Sequence, residues 1–233
     1  MRGLFDSFVN VLGVALIPAV LLLPVLAAQA PISPISGNAA GPLRILALGD
    51  SLTQGYGLAA GWDFPAQLED ALRARGHDVI VINAGVSGDT SAGGLARLDW
   101  SLTGDFDSRP DAAIVEFGGN DALRGLPPRE TQSNLDAMLA KLGERNIPVL
   151  LAGMKSPRNM GPEYATEFDA VFPRLAEKYD VLFYPFFLDG VVLDPALMQD
   201  DGIHANEQGM AEIVARIVPL AEELIAQARG AAP

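Results

Sequence analysis

What most restricts the fold of this chain is a rhythm. Short apolar runs at 43–48, 79–82, 112–117, 147–152 and 181–187 alternate with longer segments of helical periodicity. Hydrophobicity within the runs is close to continuous, with Arg44 the exception in the first. That is the pattern of strands covered on both faces, not of strands with one wet face. The intervening segments carry apolar stripes. Leu68 and Leu72 lie four apart in 64–75, and Leu135, Met138, Leu139 and Leu142 share one face of 130–142. A third helix is expected over 163–178 with a kink at Pro173. The last is expected over 206–229, capped by Asn206, bent by Pro219 and turning Ile213, Ile217, Leu220 and Leu224 inward. Strands separated by crossover helices predict a five-stranded parallel sheet in a three-layer α/β/α sandwich. Ligands of such sheets bind outside the carboxyl ends of the strands, so the loops that follow the strands are the places to search.

Composition narrows the chemistry. A length of 233 residues suits one domain with an appendage and is enough to bury a full core. The formal net charge of -13, without a Lys/Arg cluster, argues against nucleic acid as a partner, because phosphate contacts need a basic patch. Its plainest reading is solubility. The chain has no cysteine, which excludes disulfides, thiolate catalysis and thiolate metal sites but leaves the compartment open. Only two histidines are present, which disfavours a metal hydrolase.

The N-terminus differs from the rest. Arg2 is followed by an apolar run over 11–28, then by the small-x-small triplet Ala28-Gln29-Ala30 and by Pro31. This reads as a secretory signal peptide, 1–30, removed after Ala30 to leave an exported, periplasmic protein. A retained membrane anchor is the alternative, and Pro18 and Pro24 count against it because they would break a permanent helix. Otherwise membrane contact is expected only transiently, through this segment. Loss of 1–30 removes Arg2 and Asp6 together, so the charge of -13 is unchanged. Residues 31–42, rich in Pro, Ser, Gly and Ala, read as a linker, and 43–233 as the domain proper.

Four loops are expected at the active edge of the sheet. The first run ends in Gly49-Asp50-Ser51. The second is followed by 83–90, which contains Ser87, Gly88, Asp89 and Thr90. The third is followed by Gly118-Gly119-Asn120-Asp121, and Asp200-Asp201-Gly202-Ile203-His204 precedes the last helix. Together they bring a serine, glycine amides, an asparagine and an Asp/His pair, which is the inventory of a serine hydrolase. A serine hydroxyl needs a base to take its proton. His204 can be that base, and Asp201, three residues earlier, can fold back to fix its tautomer. The amides of Ser51 and Gly88 and the Asn120 side chain can face a tetrahedral oxyanion. Each piece alone has an ordinary reading. Ser51 is also a good helix cap, Gly88 a turn glycine and Asn120 a turn residue. The other histidine, His77, falls in a helix-to-strand loop at the opposite edge and reads as structural or solvated.

With these residues in place the sequence resembles a known family. Gly49-Asp50-Ser51-Leu52, Gly88, Gly118-Gly119-Asn120-Asp121 and Asp201-Gly202-Ile203-His204 are similar to the four ordered blocks of the GDSL, or SGNH, hydrolases, over 43 to about 225. The stretches around Ser87–Leu98 and Met198–His204 look closest to bacterial periplasmic esterases described as acyl-CoA thioesterase I, lysophospholipase or arylesterase. The resemblance implies a flavodoxin-like sheet and no cofactor or metal. It also implies Ser51 as nucleophile, His204 as base, Asp201 as its orienter, and Ser51, Gly88 and Asn120 as the oxyanion hole. Ala205 departs from the pattern, since relatives often carry proline there; loop stiffness rather than chemistry is expected to change. The G-x-S-x-G elbow of α/β-hydrolases is absent at Ser51.

The implied substrate is a small-molecule or lipid ester: an aryl ester, a short-to-medium acyl ester or a lysophospholipid, with thioesters also cleaved. The apolar loop 123–128 directly follows the asparagine block, and Leu123 and Leu126 are candidates to line an acyl crevice or to pack on the next helix. The rival readings are a carbohydrate O-acetyl esterase and a non-enzymatic flavodoxin-like binding module.

Overall fold

In a computed structural model, residues 41–103 and 109–230 are described, and the elements follow from them. Five strands, β1 (Leu43–Gly49), β2 (Val79–Gly85), β3 (Ala112–Glu116), β4 (Val149–Ala152) and β5 (Leu182–Tyr184), form one sheet in the order β2-β1-β3-β4-β5. Every pairing is parallel. This is the flavodoxin-like order, whose direction reverses between β1 and β3. β3 and β4 are buried at every position, as continuous hydrophobicity requires of central strands covered on both faces.

The helices are α1 (Ser51–Gln54), α2 (Phe64–Ala74), α3 (Ser91–Thr103), α4 (Gly119–Leu123), α5 (Pro128–Glu144), α6 (Pro162–Asp169), α7 (Val171–Tyr179) and α8 (Glu207–Gly230). α2 packs on α8, while α5 packs on both α3 and α7, which gives the two outer layers. The stripes expected on α2 and α5 are buried: Leu68, Leu72, Leu135, Met138, Leu139 and Leu142. Ile213, Ile217 and Leu224 of α8 are buried too, while Leu220 is half-buried. Asn206 caps α8 as expected, its Oδ1 accepting from the Gly209 amide at 3.0 Å.

Four features differ from the sequence reading. α8 runs unbroken through Pro219, which lies on its exposed face, where water can take up the carbonyl that proline leaves unpaired. The expected 163–178 helix is two helices that meet at Ala170, and Pro173 sits in the first turn of α7, where its missing N–H costs nothing. The fifth strand shrinks to Leu182–Tyr184. The sequence reading places no helix between the second and third strands, where Gly93-Gly94 gives α3 a poor helix propensity. Packing overrides that propensity: a Cβ on Gly94 would lie 2.2 Å from the Phe117 ring, so only glycine lets α3 approach the sheet. The expected signal segment 1–30 and most of the linker lie outside the described residues.

Candidate active site

The site is built at the reversal point of the sheet, outside the carboxyl ends of β1 and β3. β1 ends in Gly49, where a Cβ would lie 2.0 Å from Thr53 Oγ1 and 2.7 Å from Glu116 Oε2; nothing larger than glycine fits. Asp50 then caps α1, its Oδ1 accepting from the Leu52 amide at 3.0 Å. The cap turns the chain sharply and leaves Ser51 at the head of a one-turn helix, 9% exposed. On the second strand the chain turns at Gly88 (φ +83°), and on the third at Gly118 (φ +119°), both left-handed conformations that favour glycine.

The Asp/His pair comes from the loop before α8. Asp201 Oδ1 accepts from the amides of Ile203 (2.9 Å) and His204 (3.0 Å), which winds the loop back on itself. Its Oδ2 then meets His204 Nδ1 at 2.6 Å, and His204 Nε2 meets Ser51 Oγ at 2.9 Å. With Nδ1 carrying the proton to Asp201, Nε2 is left as the acceptor for the serine hydroxyl. Burial alone would raise the Asp201 carboxyl, but the His204 amide, the His204 ring and the Ile203 amide outweigh it and hold it at about 2. The carboxylate is therefore a fixed negative charge on the far side of the imidazole.

Ser51, Gly88, Gly119, Asn120, Asp201 and His204 all line one open cavity of about 300 Å³. Among the described residues, neither the Ser51 nor the Gly88 amide donates to a protein acceptor. The Asn120 carboxamide gives one N–H to Asp50 Oδ2 at 3.0 Å. A second, largely apolar cavity of about 700 Å³ adjoins the first through Leu52, Gly119, Leu123 and Ile203, and reaches Met154, Phe186 and Leu188. Leu123, exposed, lines both cavities. Leu126 lines neither; it is half-buried, and its carbonyl accepts from the Tyr164 hydroxyl at 2.8 Å. His77 lies at the opposite end of the sheet, in the α2–β2 loop, its Nε2 3.1 Å from Glu222 Oε1.

Several residues around the site escaped the sequence reading. The Tyr56 ring lies on the His204 ring, centroids 4.6 Å apart, and its carbonyl is held by Gln199 Nε2 at 2.7 Å. The same Gln199 nitrogen reaches the Ala205 carbonyl at 2.9 Å, so one side chain ties the serine loop to the histidine loop. Arg97 of α3 grips the Gly49 carbonyl at 2.8 Å and pairs with Asp89 at 2.7 Å. Arg124 holds the Gly88 carbonyl at 2.7 Å. Fully buried Asp121 accepts from the Ser91 amide (2.8 Å) and the Thr131 hydroxyl (3.0 Å), fastening the heads of α3 and α5 behind the Gly88 and Asn120 loops. Asp121 stood in the asparagine block as a signal; Arg124 and Gln199 gave none, because their partners are backbone carbonyls, and Arg97 gave none, because the Gly49 carbonyl and Asp89 meet it only in the fold. Among the described residues, no three His, Asp or Glu side chains are grouped as metal ligands.

Comparison with known proteins bears on the fold and the family. Residues 47–212 match the family described as GDSL-like Lipase/Acylhydrolase. An arylesterase of Vibrio mimicus is 40% identical over 176 residues, covering 74% of this chain and 86% of the relative. Thioesterase 1/protease 1/lysophospholipase L1 of Escherichia coli K12 is 42% identical over 169 residues, 72% of this chain and 78% of that one. Among solved structures, AlinE4, an SGNH-hydrolase family esterase, superposes with a TM-score of 0.68 at 47% identity, covering 80% of this chain and 98% of its own. TesA superposes with a TM-score of 0.73 at 38% identity, over 78% of this chain and 99% of its own. A parallel α/β sheet expected from the residues thus coincides with a family match over 47–212, and the chain belongs to the GDSL-like lipase/acylhydrolase, or SGNH hydrolase, family.

Proposed function

We propose that this serine ester hydrolase works through Ser51 as nucleophile, His204 as general base and then acid, and Asp201 as the orienter of His204. The observation that carries the reading is the continuous chain Asp201 Oδ2–His204 Nδ1 at 2.6 Å and His204 Nε2–Ser51 Oγ at 2.9 Å. Ser51 Oγ attacks the ester carbonyl carbon while its proton passes to His204 Nε2. The charge that builds on the carbonyl oxygen is met by the Ser51 and Gly88 amides and by Asn120. Collapse breaks the carbon–oxygen bond, and His204 returns the proton to the leaving alcohol. Water then attacks the acyl-enzyme by the same route in reverse.

The substrate is a small-molecule or lipid ester. For the acyl group, the apolar cavity of about 700 Å³ beside Ser51 accommodates a medium chain, with Leu123 at its entrance. An acetyl group would leave most of that volume empty, which favours aryl and acyl esters and lysophospholipids over acetylated sugars. The names of the two curated relatives, an arylesterase and a thioesterase/lysophospholipase, point the same way. We also read residues 1–30 as an export signal, from Arg2, the apolar run and Ala28-Gln29-Ala30. Among the described residues, no helix is long and apolar enough to cross a membrane.

The test is a panel of p-nitrophenyl esters from acetyl to palmitoyl, with lysophospholipid and acetylated sugars alongside, on wild type and Ser51→Ala. The variant is expected to lose four orders of magnitude or more in turnover, roughly the loss seen when a triad member is removed, and to lose labelling by a fluorophosphonate probe. A Ser51→Ala protein with near-wild-type turnover sinks the mechanism. Preference for acetylated sugars sinks the substrate reading and leaves the mechanism standing.

A further inference from the structure

Behind the nucleophile lie two buried carboxyl groups that the proposed mechanism does not use. Asp50 is 1% exposed and Glu116 is fully buried at the end of β3. Both oxygens of Asp50 are engaged: Oδ1 by the Leu52 amide at 3.0 Å and Oδ2 by Asn120 Nδ2 at 3.0 Å. Glu116 Oε2 accepts from the Thr53 hydroxyl at 2.8 Å and lies 3.4 Å from the Asp50 amide, while Glu116 Oε1 has no protein partner. The surroundings leave no play. A Cβ on Gly49 would strike Glu116 Oε2 at 2.7 Å, and one on Gly119 would stand 3.4 Å from Asp50 Oδ2.

We propose that Asp50 is a positioning residue: its Oδ2 holds one N–H of the Asn120 carboxamide so that the other faces the carbonyl oxygen of an ester bound at Ser51, while Glu116 seats Asp50 from beneath. The proposal rests on the reading of Asn120 as an oxyanion donor. A carboxamide has an oxygen and a nitrogen of nearly equal size, and turning it over would aim an acceptor at the oxyanion. A carboxylate offers acceptors only, so it selects the nitrogen. An N-cap needs one oxygen; the second oxygen, spent on Asn120, is what a capping role leaves unexplained.

The electrostatics are consistent with that division. Burial pushes the Asp50 carboxyl up to about 6, against the Leu52 amide and Asn120, which pull it down. Burial, then the Asp50 charge, pushes Glu116 well above the usual carboxylate range. Glu116 therefore keeps its proton and Asp50 carries the charge. The other titratable or charged groups nearby are His204, from the loop before α8, and Arg97 of α3, which is 2.8 Å from the Gly49 carbonyl and itself paired with Asp89.

The experiment is a double-mutant cycle on Asp50→Asn and Asn120→Ala, reading kcat and KM separately for a p-nitrophenyl ester. Asp50→Asn keeps the Oδ1 cap but turns a donor toward Asn120. It is expected to lower kcat by about 10²–10³ with KM within about threefold, as is Asn120→Ala. The double variant is expected to be no slower than the slower single one, because Asp50 acts only through Asn120. Multiplied losses, or an unaffected Asp50→Asn, overturn the proposal. A second readout needs no Asp50 variant: below about pH 6, kcat of the wild type is expected to fall more steeply, by one proton, than kcat of Asn120→Ala. Equal slopes overturn the proposal. Failure of the underlying reading has its own signature: Ser51→Ala that turns over, or Asn120→Ala that loses only KM.

Discussion

The two edges of the sheet each hold a histidine paired with a carboxylate, and they behave as different objects. At the carboxyl edge, His204 lies 2.6 Å from Asp201; at the amino edge, His77 lies 3.1 Å from Glu222. The side chains are comparably sheltered, 15% exposed for His204 and 21% for His77. What separates them is the other ring nitrogen. His204 presents Nε2 to Ser51 Oγ, whereas His77 uses Nε2 on Glu222 itself, and Arg75 approaches the same glutamate at 3.6 Å. A parallel sheet makes its two ends unequal: all five strands deliver their outgoing loops to one edge, so several loops can meet there. An imidazole paired with a carboxylate is common chemistry, and its location decides whether it has anything to act on.

The largest effect that sharpens this contrast is expected from Asp201→Asn. The amide would favour the wrong imidazole tautomer, and kcat should drop by about 10³–10⁴ with the fold intact. Glu222→Gln, its counterpart at the other edge, should leave turnover within about twofold. Equal losses would erase the distinction between the edges. Asp201 also fixes a sign. Its carboxyl is held at about 2, so it contributes to stability above the ordinary carboxylate range, and that contribution is lost as the pH falls toward 2. Asp201 therefore stays ionised across the working range, and loss of activity on the acid side must come from other groups.

A smaller effect is expected at the rim of the carboxyl edge. Leu123→Ala should change the octanoyl-to-acetyl ratio of kcat/KM by several-fold to about tens-fold, since each buried methylene is worth about 0.8 kcal/mol. Leu126→Ala, half-buried and lining neither cavity, should leave the ratio alone. A ratio that moves with Leu126 and not with Leu123 would redraw the crevice.

Smaller again is a stability effect below the serine. Glu116 has a raised carboxyl in the folded chain, so its contribution is fully present below about pH 4 and is lost as the pH rises through the raised value. Glu116→Gln cannot ionise and escapes that loss. The melting temperature of the variant relative to wild type should therefore climb by about a few degrees between pH 5 and pH 8; a gap that does not change with pH would count against a protonated Glu116. Last comes His77→Ala, expected to leave kcat/KM and its pH profile unchanged and to cost about 1 kcal/mol or less in stability. A shifted profile would mean that the amino edge communicates with the chemistry after all.

Much of the carboxyl edge was legible in the sequence because its parts are backbone-driven. Continuous apolar runs demand a covered sheet, a covered parallel sheet collects its loops, and Ser51, Gly88, Asn120 and His204 each begin or end such a loop. What stayed hidden depends on contacts between distant segments. Gly94 argues against a helix in the sequence, yet it permits one because Phe117 lies against it. Glu116, within an apolar run, reads as a strand ending; its partnership with Asp50 exists only once β1 and β3 are paired at Gly49 and Glu116. Pro173 reads as a kink until the chain is seen to have ended one helix and begun another around it. Leu123 and Leu126 are alike in sequence, and only the turn between them places one at the crevice and the other away from it, with its carbonyl accepting from the Tyr164 hydroxyl.

Ser51 and His204 are 153 residues apart, and the loop that carries His204 is anchored by α8, the final helix, which packs across α2. A chain emerging from the ribosome therefore holds Ser51 long before it holds the imidazole that meets it. If Ser51 and His204 act as proposed, a fragment that ends before Asp201 lacks the Asp/His pair however well its sheet has formed, and it is expected to cleave no ester.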